Sequence, residues 1–255
     1  MFKAFLLVCQ LGLAACASLG GFRDPILNIV GGSDAAPGQF PWQLLLQRDG
    51  SYICGAVLIS ADRALTAAHC LGEGYTYSVI AGLHNRNTPN GNEVTRTVST
   101  WTMHPSYSEG SGYPNDIAIL RLESPVPINN YIKAIARASS TSGDFSGKTC
   151  TLSGWGRLSG SGDAATVLQH VSMPAITNSE CSSRWFFIPG ASINAGHICV
   201  YQSGKSACSG DSGGPMVCEG LLAGITSWGM STCSGSLPSV YSRVSYFEQW
   251  LDANM

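Results

Sequence analysis

Cys208-Ser209-Gly210-Asp211-Ser212-Gly213-Gly214-Pro215 sets one serine among glycines that free its hydroxyl and the neighbouring backbone amides. A serine hydroxyl is a weak nucleophile at its own pKa, so a chemical role requires a base to take its proton and a third group to orient that base. Taken alone, the stretch reads better as a Gly/Ser turn between strands. The rest of the chain decides, by supplying the partners or not.

Two other segments supply them. Thr66-Ala67-Ala68-His69-Cys70 places a histidine after small residues and beside a cysteine, and Asn115-Asp116-Ile117-Ala118-Ile119-Leu120 places an acid at the head of an apolar strand. In the order His69, Asp116, Ser212, and with Ile29-Val30-Gly31-Gly32 and Ser227-Trp228-Gly229, they make the chain from Ile29 to about Leu251 resemble the trypsin/chymotrypsin family of serine endopeptidases.

The residues themselves point to an all-β chain. Short runs rich in Val, Ile, Leu, Tyr and Trp alternate with Gly, Pro, Asn and Ser clusters, and the runs 43–47, 56–59, 77–81, 117–122, 149–155, 215–218 and 224–228 read as strands. One helix is expected over about 245–253, where Val244, Phe247, Trp250 and Leu251 recur at helical spacing and Ser245 suits an N-cap. The resemblance implies two six-stranded antiparallel barrels with the site between them, the first over about 29–126 and the second over about 127–243. Together with the carboxyl-terminal helix they make a peptidase domain of 29–255.

Composition narrows the partners. The 255-residue chain carries 12% charged residues and a net charge of −2, so no polybasic surface points to nucleic acid or an anionic membrane. Residues 1–17 open with Lys3, run through an apolar stretch and end in Ala15-Cys16-Ala17, which reads as a secretory signal peptide. The stretch is shorter than the roughly 20 residues a membrane span needs. A secreted protein, expected to be a monomer, follows. Of ten cysteines, Cys9 and Cys16 leave with the signal, and an even remainder of eight in a secreted chain implies disulfides. Zinc is the rival, but the spacings lack the close Cys-x-x-Cys pairs such sites use. Sequence alone does not choose the pairing; the resemblance implies Cys54 with Cys70, Cys150 with Cys218, Cys181 with Cys199 and Cys208 with Cys233.

The resemblance also implies roles. Ser212 is the nucleophile, His69 the base and Asp116 its orienting acid, with the amides of Gly210 and Ser212 as the oxyanion hole. Ser227 supports Asp116, and Ser227-Trp228 is the strand that binds substrate. Asp211 pairs with the amino terminus of Ile29 once the propeptide 18–28 is removed. That cut departs from the usual pattern, because Asn28 rather than Lys or Arg precedes Ile29, so trypsin is not expected to be the final activating protease. At the specificity pocket Ser206 stands where trypsins carry an aspartate, Gly229 leaves a wall open, and Trp185 matches chymotrypsin more than trypsin. Ser239 replaces the usual glycine and shortens the pocket. Peptide or protein substrates cut after Phe, Tyr, Leu or Met are expected, with Trp cut less readily and Ser239 favouring Leu or Met; elastase-like specificity and an inactive protease-like binding protein are the alternatives. Protein protease inhibitors are further partners that the family implies. Leu83 stands where a calcium-binding loop has an acid and only Glu93 remains, so no metal or other cofactor is expected.

Overall fold

A computed structural model describes residues 29–255; the segments 1–17 and 18–28, expected to be a signal peptide and a propeptide, lie outside the described residues. The chain begins with a two-residue strand, β1 (Ser33–Asp34). Six strands then form a closed antiparallel barrel: β2 (Gln43–Arg48), β3 (Ser51–Ser60), β4 (Arg63–Thr66), β5 (Tyr77–Ala81), β6 (Val94–Met103) and β7 (Ala118–Leu122), in the order β2-β3-β4-β7-β6-β5. A second set follows, β8 (Thr149–Gly154), β9 (Gln169–Ile176), β10 (His197–Val200), β11 (Pro215–Cys218), β12 (Leu221–Trp228) and β13 (Ser239–Arg243). Pairing of β8 with β9 closes these six into the second barrel.

Each barrel has its own apolar filling. Leu44, Leu46, Leu58, Leu65, Val79, Ile117 and Leu120 fill the first, and Leu152, Val171, Met173, Ile198, Met216 and Tyr241 the second. The ends of the chain are exchanged between them. β1 pairs with β9 of the second barrel, while Val244, Phe247 and Leu251 pack into the core of the first.

The expected strands 77–81 and 215–218 match β5 and β11 residue for residue. The sequence reading missed β1, β4, β6, β9, β10 and β13, of which β6 and β9 are the longest. β6 leaves Thr95, Thr97, Ser99, Thr100 and Thr102 exposed and buries only Val98, and β9 lacks a Val/Ile/Leu run because His170, Ser172 and Pro174 alternate with its buried residues. The carboxyl-terminal helix is present as α2 (Glu248–Asn254), preceded by a tight 3₁₀ turn from Val244 to Phe247. Ser245 is therefore inside that turn and is not the cap: burial of Val244 and Phe247 anchors the entry to the helix instead. A second helix, α1 (Asn178–Trp185), was not anticipated. The hydroxyl of Thr177 accepts from Glu180 N at 3.1 Å, and Thr177-x-x-Glu180 is the sequence signature that marks its start.

Candidate active site

The four disulfides join Cys54 to Cys70, Cys150 to Cys218, Cys181 to Cys199 and Cys208 to Cys233, the pairing the resemblance implied. The first fixes the turn after β4 that carries His69, and the last ties the serine loop to the 230s loop. A disulfide of this kind stabilises by about 2–4 kcal/mol. His69 lies close to Cys54 and Cys70, but both sulfurs are consumed by the bond between them and leave no thiolates for zinc.

Asp116 heads β7 and is 0% exposed. Its carboxylate accepts from the backbone N of His69 at 2.9 Å and meets His69 Nδ1 at 2.7 Å. The Ser227 hydroxyl donates to the same carboxylate, and Ser242 donates to its backbone carbonyl at 2.6 Å. An ionised carboxylate only accepts, so Nδ1 carries the imidazole proton and Nε2 is left free to take one. His69 and Asp116 come from the first barrel and Ser227 from the second, so the constellation spans the interface.

Ser212 reaches this interface through backbone contacts. Its carbonyl accepts from Gly55 N of β3 at 2.7 Å. Gly213, at φ +77°, comes so close to the end of β4 that a Cβ there would lie 2.2 Å from Thr66 Oγ1, three residues before His69. The cleft lined by His69 and the cavity lined by Ser212 share Ser227, Trp228 and Gly229 as walls. Within the serine loop the amides of Asp211, Gly213 and Gly214 donate to Cys208, Thr226 and Asp211 carbonyls. Those of Gly210 and Ser212 have no acceptor among the described residues. Two unspent donors flanking a serine are what a developing oxyanion requires.

Tyr52 is a site residue that the sequence reading missed. Its hydroxyl donates to the Gly210 carbonyl at 2.6 Å, and Arg86 lies over its ring at 4.6 Å. Burial, and then the negative charge of Asp211, push its pKa up, so the hydroxyl remains a donor. Gly210 sits at φ +101°, a conformation side chains rarely adopt, and the bond to Tyr52 holds its peptide in place. No local pattern announces this role, since 158 residues separate the partners. Tyr113 was also missed; its ring stands 6.1 Å from that of His69 at the rim of the cleft.

Asp211 is fully buried. Its carboxylate accepts from Gly156 N at 2.8 Å and Cys208 N at 2.9 Å. Burial raises its pKa to about 6, against the lowering effect of those two amides. Ile29 is buried in the second core with Met216 and Tyr241, and the carbonyl of Val30 accepts from Ser206 N at 3.1 Å.

Beside Ser212 opens a cavity of about 120 Å³ whose walls include Ala207, Trp228, Gly229, Met230 and Ser239, with no charged side chain among its lining residues. Ser239 Oγ accepts from Ala207 N at 3.2 Å and stands 3.3 Å from Ser206 Oγ. Ser206 thus sits behind Ser239, which itself faces the cavity. Trp185 backs Trp228, ring centroids 4.9 Å apart, and lines the neighbouring groove with Tyr113 and Ile188.

The loop that could hold calcium offers a poor donor set. The Leu83 side chain is packed in an apolar cluster with Leu45 and Trp155, and both Glu93 oxygens accept amides of its own loop, from Asn90 and Gly91. One already occupied carboxylate falls well short of the six to eight oxygens calcium takes.

A family model described as Trypsin matches residues 29–251. The chain belongs to the trypsin family of serine proteases. It is 45% identical to a chymotrypsin-like serine proteinase of Haliotis rufescens, over 96% of each chain. A fibrinolytic enzyme, isozyme C, of Lumbricus rubellus is 40% identical over 89% of this chain and 99% of its own. Trypsin delta of Drosophila melanogaster is 37% identical over 97% and 98%. As a trypsin-family member the protein is a hydrolase acting on peptide bonds, and its four disulfides are the kind an oxidising, extracellular compartment maintains.

Proposed function

We propose that the protein is a secreted endopeptidase of extracellular digestion, made as a zymogen, which cuts after large apolar residues. The neutral cavity beside Ser212 carries this reading. At about 120 Å³ it approaches the roughly 150 Å³ cavity known to hold a benzene ring, so a Phe, Tyr or Leu side chain suits it. A Lys or Arg side chain would be buried there without a counter-charge. Gly229 has open space toward the cavity, where an added Cβ would meet only Ser239 Cα at 3.9 Å.

In this reading Ser212 Oγ attacks the scissile carbonyl as His69 Nε2 takes its proton, and Gly210 N and Ser212 N receive the oxyanion. His69 then protonates the leaving amine, and water releases the acyl group by the reverse sequence. Asp116, held by Ser227 and Ser242, keeps the imidazole in the competent tautomer. Residues 1–17 serve as the signal and 18–28 as the propeptide of a 29–255 peptidase domain. Removing the propeptide gives Ile29 an ammonium to pair with Asp211, whose buried charge otherwise has no cation partner among the described residues. Asn28 calls for an asparagine-tolerant protease, or a chymotrypsin-like one cutting near Leu27 with trimming; amino-terminal sequencing of the secreted protein should begin at Ile29. The substrates are proteins and peptides, family protease inhibitors are expected to bind the cleft, and the enzyme acts as a monomer.

Peptides differing only in the residue before the cut test the specificity. Phe, Tyr and Leu should exceed Arg and Ala by about a hundredfold in kcat/KM, the discrimination an apolar pocket can exert. Ser239→Gly should raise turnover of Trp peptides several-fold. Preference for Ala would favour the elastase-like alternative, to which the Ser239 hydroxymethyl lends some support. Absence of fluorophosphonate labelling at Ser212 would point to an inactive binding protein.

A further inference from the structure

Phe186 and Phe187 are the most exposed large apolar side chains among the described residues, at 77% and 86%. They follow α1 directly, and their rings pack against each other with centroids 5.0 Å apart. The backbone from 186 to 190 lies outside every strand. Two turn bonds hold it, Ile188 N to Trp185 O at 2.9 Å and Ala191 N to Ile188 O at 3.2 Å, together with Gly190 O accepting from Gly112 N and Ser111 Oγ. A segment with so few bonds opens at low cost compared with a strand of either barrel. Two aromatic side chains thus stand exposed in a weakly held turn of a chain whose own cavity is neutral and close to the size of an aromatic ring.

We propose that the segment Phe186 to Ile188 is a self-cleavage site, at which an active copy cuts a second copy of this chain after Phe186 or Phe187. The inference rests on the specificity proposed above. Ser212 Oγ of one molecule adds to the carbonyl carbon of Phe186 or Phe187 in the other, the bond to the next nitrogen breaks, and His69 delivers the proton to the leaving amine. One water then hydrolyses the acyl-enzyme, leaving a new carboxylate and a new α-ammonium; no other reactant is consumed.

The position gives the cut a consequence. It falls between Cys181 and Cys199, which are joined, so both pieces stay covalently attached. Cutting separates α1 from Gly190, whose carbonyl holds Gly112 and thereby the Tyr113 loop beside His69. The nicked enzyme keeps its nucleophile but has a looser wall to its substrate groove. The device attenuates activity as enzyme accumulates, because the step needs two molecules.

The test mixes active enzyme with a Ser212→Ala chain beginning at Ile29 as target, and assays a short Phe peptide in parallel. The expected result is a target that runs as one band without reductant and as two fragments with it, meeting at 186/187 or 187/188 by mass spectrometry. Its rate should scale with active enzyme. Phe186→Ser with Phe187→Ser in the target should slow nicking by about tenfold or more, and in the active enzyme should leave peptide turnover unchanged. Nicked enzyme should show a raised KM. The proposal is overturned if the enzyme cuts the Phe peptide while the target stays whole or is cut only elsewhere. Failure on the Phe peptide itself would overturn the specificity reading and this proposal with it, and the parallel assay tells the two failures apart.

Discussion

The two barrels hold their shares of the site by different means. In the first, His69 follows a strand of the closed barrel, is tied by Cys54–Cys70, and meets a fully buried Asp116 whose carboxylate accepts from two of its nitrogens. In the second, Ser212 rides a loop of glycines at positive φ, beside a buried Asp211 whose pKa is raised to about 6. The first half holds the His69–Asp116 pair at the ends of its own strands and takes only supporting hydroxyls, Ser227 and Ser242, from the second, whereas the second is built around a charge that burial disfavours. Positional precision and a charge that burial disfavours are thus divided between barrels, and under the zymogen reading proposed above only the second half needs to be conditional.

Three experiments sharpen or break this contrast. The largest effects should come from the reacting groups: Ser212→Ala should lower kcat by about a millionfold. Asp116→Asn, which leaves the geometry but spoils the tautomer, should lower it by about ten-thousandfold. Both variants should keep wild-type melting behaviour within a few degrees. A large loss of stability in Ser212→Ala would mean that the serine loop supports the fold as rigidly as the first barrel does.

The second experiment is thermodynamic. The Asp211 carboxyl ionises near 3.8 when unfolded and near 6 when folded, so the native state holds its proton more tightly. Below about pH 4 both states are protonated and nothing is lost. Stability then falls as pH rises to about 6, by about 3 kcal/mol at about 1.4 kcal/mol per unit, and stays lower above that. Denaturant titrations of uncut and cut Ser212→Ala chains at pH 4 and 7 should show this fall in the uncut chain alone, since an Ile29 ammonium stabilises the ionised form. Equal pH dependence in the two forms would remove Asp211 as the conditional element.

The smallest effect concerns the strut between halves. Tyr52→Phe deletes only the hydroxyl that holds Gly210, and should lower kcat about tenfold, as loss of one hydrogen bond would, with KM unchanged. A change in KM alone would show that Tyr52 acts on substrate binding and not on the oxyanion loop.

What the sequence disclosed divides along a similar line. His69, Asp116 and Ser212 each sit in a short stretch whose residue types state the local demand: small neighbours before the histidine, an apolar strand after the acid, glycines around the serine. Strand and turn alternation indicated an all-β chain, and its division into two barrels followed from the family resemblance. Less legible were features set by contacts remote in sequence. Ser206 and Ser239 lie 33 residues apart, and only the register of β13 against β12 decides which faces the cavity. Tyr52 looks like one more aromatic in an alternating strand until Gly210 is laid against it. β6 escaped notice because most of its side chains meet water, and helix α1 because its apolar content is low although its capping residues were in view.

The exchange of chain ends between the barrels bears on how the protein is made. The first barrel's core is completed by Val244, Phe247 and Leu251, and His104 packs against Phe247 and Trp250 at 5.3 and 5.0 Å. A ribosome that has delivered all six strands of that barrel has still not delivered the residues that seal it. The first barrel therefore reaches its native burial only when the carboxyl-terminal segment docks, a contact between residues far apart in sequence. For a protease this order is protective: no truncated product carries a finished cleft, and the capacity to cut arises only when the whole polypeptide has been made.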